Sequence, residues 1–474
     1  MEERIGEHYA TLLQGEGANL ATGWARKGIT KLLLAPTNAP WVVITLGVTF
    51  ASFYGAAMLG KETHLEQVRH ANLFAAIFFS LSYCFVGMGL GLFEKENRLS
   101  RYSVVRLNAL AFMAALGIAV VLMVFVFFKN TGRFSLIYGS TAALISNLLF
   151  YTAVRKLLKN FPHRYVVLGE QTKITESIAE YLGSSPLGRH YSHMQRIRDF
   201  ITQHREDNPE QLNEVLDRCH ISDLVLTREV EHDSFATKVA MRAMQGGVRV
   251  VDEVKFYSEL CRRIPIEYLS IPWVLNAGFD SQNPMKNLIK RTFDLILSGI
   301  LIVLLAPLLV IIAILVKATS PGPVLYRQSR QGRFSKQFTI IKFRTMHVED
   351  GAATTDQNDE RITGMGRLLR PLHIDELPQL WNIFLGHMSF VGPRPESFEI
   401  VEKVREFVPV FEVRHMIRPG LTGLAQISQG KTDDSKQEIE RKLSFDLYYL
   451  KNYSLFFDLW IMLRTFFTLA RHAW

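Results

Sequence analysis

Cysteine is scarce: the 474 residues hold three, Cys84, Cys219 and Cys261, scattered and with no CxxC pair. That excludes a disulfide framework or a zinc knuckle and fits a reducing compartment or membrane burial. Residues 1–39 mix polar and apolar side chains without a small-residue cleavage site after a short apolar core, so no cleavable leader is expected. A dinucleotide fingerprint is missing too. The turn after the first β-rich run reads "GEQTKI", with one glycine where GxGxxG would need three. Acidic residues are fewer than basic ones, 45 against 54, which leaves a net charge of +9. Such a balance suits anionic membranes, nucleotides and nucleic acid alike, so charge does not choose the partner.

Long apolar runs are plentiful. Four uncharged stretches, roughly 40–60, 71–93, 107–128 and 134–154, are each about long enough to cross a bilayer. The loops between them differ in basic charge. Arg4, Arg26, Lys27 and Lys31 precede the first run; Lys95, Arg98, Arg101 and Arg106 follow the second; Arg155, Lys156, Lys159 and Arg164 follow the fourth. The other two loops carry only Lys61 and Arg69, then Lys129 and Arg133. Basic loops stay in the cytoplasm, which places the N-terminus, the second loop and everything after residue 155 there. Residues 163–255 alternate strand-like segments ("RYVVLGE", "SDLVLT", "GVRVVD") with helical ones, the pattern of a small parallel α/β domain.

A fifth apolar run, Leu295 to Val316, has 22 residues without a charge. Lys286, Lys290 and Arg291 precede it, and Lys317, Arg327, Arg330 and Arg333 follow. A crossing helix would leave one basic flank on the wrong side. Pro307, near the midpoint, removes a backbone donor and kinks a helix. Together these favour a helix that enters the cytoplasmic leaflet, breaks at Pro307 and returns, against the simpler alternative of a fifth span. The C-terminal "SLFFDLWIMLRTFFTLARHAW" reads equally as an interfacial amphipathic helix or as a core helix.

"HIDELPQLWN" sets two carboxylates, Asp375 and Glu376, side by side, with Pro378 placed to start a helix. Neighbouring helical residues point about 100° apart, so the pair cannot flank one bond as in a glycosidase. They can divide labour as nucleophile and metal ligand, or merely cap the helix. Three basic segments alter that balance: "IKFRTM" with Lys342 and Arg344, "VGPRP" with Arg394 between prolines, and "RPGLTGLAQ" with Arg418, Thr422 and Gln426. With the carboxylates they make a diphosphate site next to a membrane helix.

Lys290-Arg291 with Asp294, then "GPVLYRQSRQG", "KFRTM", "DELPQLWN", "MSFVGPRP", "RPGLTG" and "FDLYYLKNYSLFFDL" follow in order. Together they resemble the bacterial polyprenyl-phosphate sugar-1-phosphate transferases, the monotopic phosphoglycosyl transferase superfamily, over about 284–474. The N-terminal spans and Rossmann-like middle resemble its larger members, the undecaprenyl-phosphate glucose and galactose phosphotransferases. The resemblance implies that Asp375 attacks the β-phosphate of a UDP-hexose, releasing UMP, and that undecaprenyl phosphate then takes the phosphosugar from the aspartate. Glucose is favoured slightly over galactose. It further implies Mg2+ (or Mn2+) at Glu376, phosphate contacts from Arg370, Lys342, Arg344 and Arg394, a homodimer, and no nucleic acid. The setting would be the bacterial inner membrane, with middle and catalytic domains on its cytoplasmic face and an exopolysaccharide, capsule or O-antigen downstream.

The expected organisation is a cytoplasmic segment 1–39, a four-helix transmembrane bundle 40–157, a Rossmann-like α/β domain 162–255 and a linker 256–284. A mixed α/β catalytic domain 285–474, anchored by the re-entrant helix 295–316, completes it. Departures from the common pattern are "LHI" before the pair, Leu424 in "GLTGLAQ", and "SQGKTDD", which leaves Lys431 as a further phosphate contact. Rival readings are a scaffold that kept the fold without turnover, and a hexosyl transferase that releases UDP.

Overall fold

The computed structural model describes residues 39–58, 66–90, 92–93, 101–126, 133–160, 163–201 with short breaks, 221–266 apart from 231–232, 274, 277–279, 283–347, 361–428 and 435–472. The N-terminal segment, Cys219 and Lys431 lie outside these residues. The chain divides into two compact units that meet in sequence at Cys261 and Arg262.

In the first unit, helices α1 (Ala39–Met58), α2 (Glu66–Leu90), α3 (Arg101–Val126) and α4 (Arg133–Asn160) pack together. Among the described residues of this unit, Trp41–Met58 and Ile137–Lys156 are long and apolar enough to cross a membrane. The apolar parts of α2 and α3, Asn72–Met88 and Ser103–Ile118, are shorter. Inside the packing, polar pairs lie among buried apolar side chains such as Phe53 and Phe79, and apolar side chains cover the outside. Thr45 Oγ1 is 2.9 Å from Tyr151 Oη, Asn147 Nδ2 donates to Thr49 Oγ1 at 2.9 Å, and Tyr83 donates to Asn108 Oδ1. Val43, Met113 and Leu149 face outward. Uncharged polar pairs between helices with apolar side chains outside are what a lipid solvent selects.

The same unit holds a parallel sheet in the order β2-β1-β3-β4: β1 His163–Leu168, β2 Tyr191–His193, β3 Asp223–Leu226 and β4 Arg249–Asp252. Helices α5 (Lys173–Ser184), α6 (Ser234–Gln245) and α7 (Glu253–Cys261) complete it. Thr172 caps α5 and exchanges hydrogen bonds with Thr175. Phe256 of α7 packs on Tyr165 of β1, so residues 256–261 belong to this layer and not to a linker. At the carboxyl ends of the strands, Gly169 has φ +116°, and a Cβ there would lie 1.9 Å from Thr227 Oγ1. The buried Glu253 carboxylate accepts from Thr172 Oγ1 at 2.5 Å and from the Arg228 amide at 3.3 Å. The carboxylate thus lies at the end of the sheet where this class of fold holds phosphate.

The second unit is built on α8, Pro284–Thr319, a single 36-residue helix started by Asn283, whose Oδ1 accepts from the Met285 and Lys286 amides. Pro307 lies inside it, and the helical run continues through the proline. Both ends of α8 pack on the same unit. Near its start Lys290 Nζ is 2.5 Å from Asp458 Oδ2, and Arg291 donates to the Ile383 and Phe384 carbonyls at 2.7 Å each. Near its end Ile312 and Val316 are buried with Phe343 and Leu369. Between them, Val303 and Leu304 are 76% and 69% exposed.

Around α8 lie an antiparallel pair, β5 (Leu325–Gln331) and β6 (Gln337–Phe343), and the short helices α9 (Gly364–Leu369) and α10 (Gln379–Leu385). They are followed by β7 (Ser389–Val391), α11 (Phe398–Phe407), β8 (Gly420–Thr422, parallel to β7), α12 (Leu424–Ser428), α13 (Lys436–Lys451) and α14 (Leu455–His472). Helix α14 resolves its two readings by having two faces: Asp458, Trp460 and Ile461 are buried, while Phe456, Leu459 and Phe466 are exposed.

Candidate active site

Asp375 and Glu376 sit on a single 3-10 turn, Ile374–Glu376, immediately before α10. The turn forms because His373 adopts a left-handed conformation (φ +52°, ψ +24°) and its carbonyl accepts the Glu376 amide at 3.1 Å. A non-glycine residue in that region costs about 1–3 kcal/mol, and such strain gathers at functional sites. Pro378 is the N-cap residue of α10 and not its first helical residue.

The sheet is aligned to the turn by Asn382 of α10. Its Nδ2 donates to the Thr339 carbonyl at 2.7 Å and its Oδ1 accepts the Ile341 amide at 3.2 Å, in the manner of a strand partner. This fixes β6 beside α10, and the next residue, Lys342, donates to Glu376 Oε1 at 2.6 Å. Arg394 Nη2 lies 3.6 Å from the same oxygen. Burial alone would push the Glu376 carboxyl up, but Arg394, Lys342 and His373 together hold it below the usual glutamate value. Asp375 goes the other way. Burial and the neighbouring Glu376 raise it, against the opposing pull of Lys342, His373 and Arg370. Two adjacent carboxylates therefore have opposite titration shifts.

The structure thus brings Asp375, Glu376, Lys342, Arg370 and Arg394 together. Arg370 is held by its Nε donating to Thr345 Oγ1 at 2.9 Å. Four other residues expected in the cluster are elsewhere. Arg344 is 4% exposed and donates to the Ser320 carbonyl and hydroxyl at 2.8 and 2.7 Å, closing the end of α8. Arg418 Nε donates to the Gly386 carbonyl at 3.0 Å, at the far end of α10 from the carboxylates. Thr422 Oγ1 is 2.6 Å from Thr465 Oγ1 and ties β8 to α14. Gln426 Nε2 turns back onto the Leu421 carbonyl at 3.4 Å.

Asn382, His373 and Arg330 were not singled out in the sequence. Asn382 closes the quoted motif, and a polar residue on the apolar side of a short helix was its signal. Arg330, in "YRQSRQG", donates to the Pro395 carbonyl at 3.5 Å and lies in the field of Arg394, Glu396 and Glu376.

The donor set also bears on a divalent cation. Among the described residues no group of three or more His, Cys, Asp or Glu is placed to hold a metal ion, and Glu376 is held by Lys342. One or two hard carboxylate oxygens fit Mg2+ of the kind bound largely by substrate phosphates, not a closed protein cage.

The second unit thus combines a long, exposed apolar helix with a turn of two carboxylates and a basic clamp. Residues 285–472 match the family described as bacterial sugar transferase. The chain belongs to that family. It is 40% identical over 195 residues to the UDP-glucose:undecaprenyl-phosphate glucose-1-phosphate transferase of Klebsiella pneumoniae, covering 40% of this chain and 42% of that protein. A UDP-N-acetylgalactosamine-undecaprenyl-phosphate N-acetylgalactosaminephosphotransferase from Aeromonas hydrophila is 39% identical over 190 residues, 40% of this chain and 45% of its own length. The exopolysaccharide production protein PSS of Rhizobium leguminosarum bv. phaseoli is 42% identical over 190 residues, 38% of this chain but 94% of its own. The match thus spans less than half the length of the first two relatives and nearly all of the third.

Proposed function

We propose that the protein transfers a hexose 1-phosphate from a UDP-sugar to undecaprenyl phosphate, giving undecaprenyl-diphospho-sugar and UMP at the cytoplasmic face of the bacterial inner membrane. The observation that carries this reading is the Asp375–Glu376 turn: one carboxylate is held by Lys342 and Arg394, while its neighbour has a raised proton affinity and no ion pair within 4 Å among the described residues. A carboxylate of raised basicity that is not tied to a cation can act as a nucleophile. Asp375 attacks the β-phosphorus of the donor, the bond from that phosphorus to the bridging oxygen breaks, and UMP leaves with that oxygen. An oxygen of undecaprenyl phosphate then attacks the phosphorus of the acyl phosphate, and the Asp375 carboxylate is released. Arg370 and Arg394 orient the donor phosphates, and Lys342 keeps Glu376 ionised and in place. Mg2+, held by Glu376 and the substrate phosphates, would neutralise charge on the diphosphate and its leaving group.

Helix α8 supports the membrane placement. With Lys290 to Asp294 and Ile312 to Val316 packed on one unit, only about 17 residues between them are free to enter lipid. At 1.5 Å per residue they make about 25 Å, short of the roughly 30 Å hydrocarbon core. A helix bent at Pro307, where the backbone donor is missing, so that it dips into one leaflet and leaves both ends on the cytoplasmic side accounts for this and for the two basic flanks.

Glucose is the favoured hexose, though relatives named for glucose and for N-acetylgalactosamine are equally similar over the matched region. The test is nucleotide release from a panel of UDP-sugars with undecaprenyl phosphate and Mg2+, in wild type and Asp375→Asn. UMP release that depends on Asp375 is the expected result. UDP release would mean hexosyl transfer, and no release from any donor would favour a scaffold.

A further inference from the structure

Three arginines converge at the carboxyl end of α10, away from the carboxylate turn. Arg291 of α8 donates to the Ile383 and Phe384 carbonyls at 2.7 Å each, and Arg418 donates to the Gly386 carbonyl at 3.0 Å. Arg333 reaches the same region by donating to the Met416 carbonyl at 3.2 Å, two residues before Arg418. The Gly386 turn has φ +86°, and a Cβ there would lie 3.1 Å from the Arg291 guanidinium, so glycine lets the guanidinium approach.

Helix capping explains part of this arrangement. The end of a helix carries at most about half a negative charge. The carboxylate that acts on Arg291 is Asp294, buried and accepting the Phe390 amide. Among the described residues no carboxylate lies within 4 Å of any of the three guanidiniums. Three positive charges therefore face about one and a half negative ones. Arg418 lowers the proton affinity of both Arg291 and Arg333, on top of the effect of their burial. All three side chains are half-buried and so reachable from outside.

The surroundings indicate which anion would suit this charge. Arg291 lies four residues before the apolar run of α8 begins at Leu295. Leu385, next to Gly386, and Phe334, whose ring lies 4.6 Å from the Arg333 guanidinium, are both exposed. A basic cluster rimmed by exposed apolar side chains at the base of a membrane helix is suited to a lipid headgroup. Helix α10 has seven residues and separates this cluster from the Asp375 turn by about 10 Å, too far for a phosphate held here to react at Asp375.

We propose that Arg291, Arg333 and Arg418 form a second anion site that binds the phosphate of a lipid headgroup at the membrane surface. Occupancy would add the missing negative charge and fix the catalytic unit at a set depth against the bilayer.

The test measures lipid binding and needs no turnover, so its failure is separable from failure of the proposed reaction. Full-length protein in uncharged detergent is incubated with phosphatidylglycerol, phosphatidylcholine or undecaprenyl phosphate, and the lipid retained after gel filtration is quantified by mass spectrometry. Wild type should retain phosphatidylglycerol in preference to phosphatidylcholine. The Arg333→Gln/Arg418→Gln double variant should retain about tenfold less, the loss expected for charge-assisted hydrogen bonds to phosphate. If the double variant does not fold, Arg333→Gln alone, which gives up one hydrogen bond, serves with a smaller loss. Competition separates the sources: displacement by undecaprenyl phosphate makes the acceptor lipid the occupant, and persistence of phosphatidylglycerol makes it a bilayer lipid. Equal retention of the two phospholipids, or unchanged phosphatidylglycerol in a folded variant, would overturn the proposal.

Discussion

Lys342 Nζ lies 2.6 Å from Glu376 Oε1, while Asp375, one residue earlier, has no ion pair within 4 Å among the described residues. The two carboxylates share a turn but not an environment. Which of the two Lys342 contacts is decided by β6, because Asn382 locks that strand to α10 and so sets Lys342 within hydrogen-bonding distance of Glu376.

Replacing Lys342 should therefore act through Glu376. In Lys342→Met the glutamate loses its hydrogen bond and keeps Arg394 and His373, and its pKa rises because burial is offset less. The rate should fall by about 10²-fold, as when one preorganised charge is lost. The acid limb of the pH–rate profile should also move to higher pH. A profile that drops in height without shifting would mean that Lys342 contacts substrate and does not tune Glu376.

The residues expected to bind phosphate should split into two groups. Arg394→Gln should raise the KM for the UDP-sugar several-fold, because its guanidinium is at the turn. Thr422→Val should leave that KM unchanged and lower the stability of the protein by about 1 kcal/mol, the worth of its hydrogen bond to Thr465. A thermal melt beside the steady-state kinetics reads both, and a raised KM in Thr422→Val would return that residue to the site.

The contrast marks what the sequence could convey. Apolar runs and loop charges located α1, α4 and α8, because membrane insertion depends on composition that is local in sequence. The adjacency of Asp375 and Glu376 is likewise local. Which arginine reaches them is not. Arg344 follows Lys342 by two residues, yet it lies beyond the end of β6 and turns to Ser320 at the end of α8. Arg418 is within a glycine-rich turn as expected, but that turn pairs with β7 and delivers it to the wrong end of α10. Side-chain destination depends on register and tertiary packing, and neither is written in spacing. Pro307 carries a similar lesson: the helical run continues through it, and the geometry of α8 depends also on where its two ends pack.

The placement of α8 predicts a labelling pattern. With the three native cysteines replaced by serine, single cysteines at Met285 and Ala318, both exposed, should be modified by a membrane-impermeant maleimide only from the cytoplasmic side. Protection of either one in inverted vesicles would mean that α8 crosses the bilayer. Met285→Cys and Ala318→Cys should keep UMP release, since neither residue packs in the core.

The catalytic unit should also carry a pH-dependent loss of stability centred on His415. Its ring is buried, 3.3 Å from Ser335 Oγ, and faces the guanidiniums of Arg414 and Arg405. Burial and then these charges lower it from 6.5 to about 3, so the folded state keeps it neutral while the unfolded chain takes up a proton below pH 6.5. Its contribution is complete above pH 6.5 and declines as pH falls towards 3, by about 2 kcal/mol between pH 7 and pH 5. Asp446, 2.8 Å from Arg414 and raised to about 6 by burial, works in the opposite sense, because the folded state takes up its proton first. The two partly cancel in the wild-type curve, so the informative quantity is a difference. Denaturant unfolding of His415→Asn against wild type at pH 7 and pH 5 should show the variant losing about 2 kcal/mol less on acidification. Parallel curves would mean that His415 is protonated in the folded protein, with a partner for its charge.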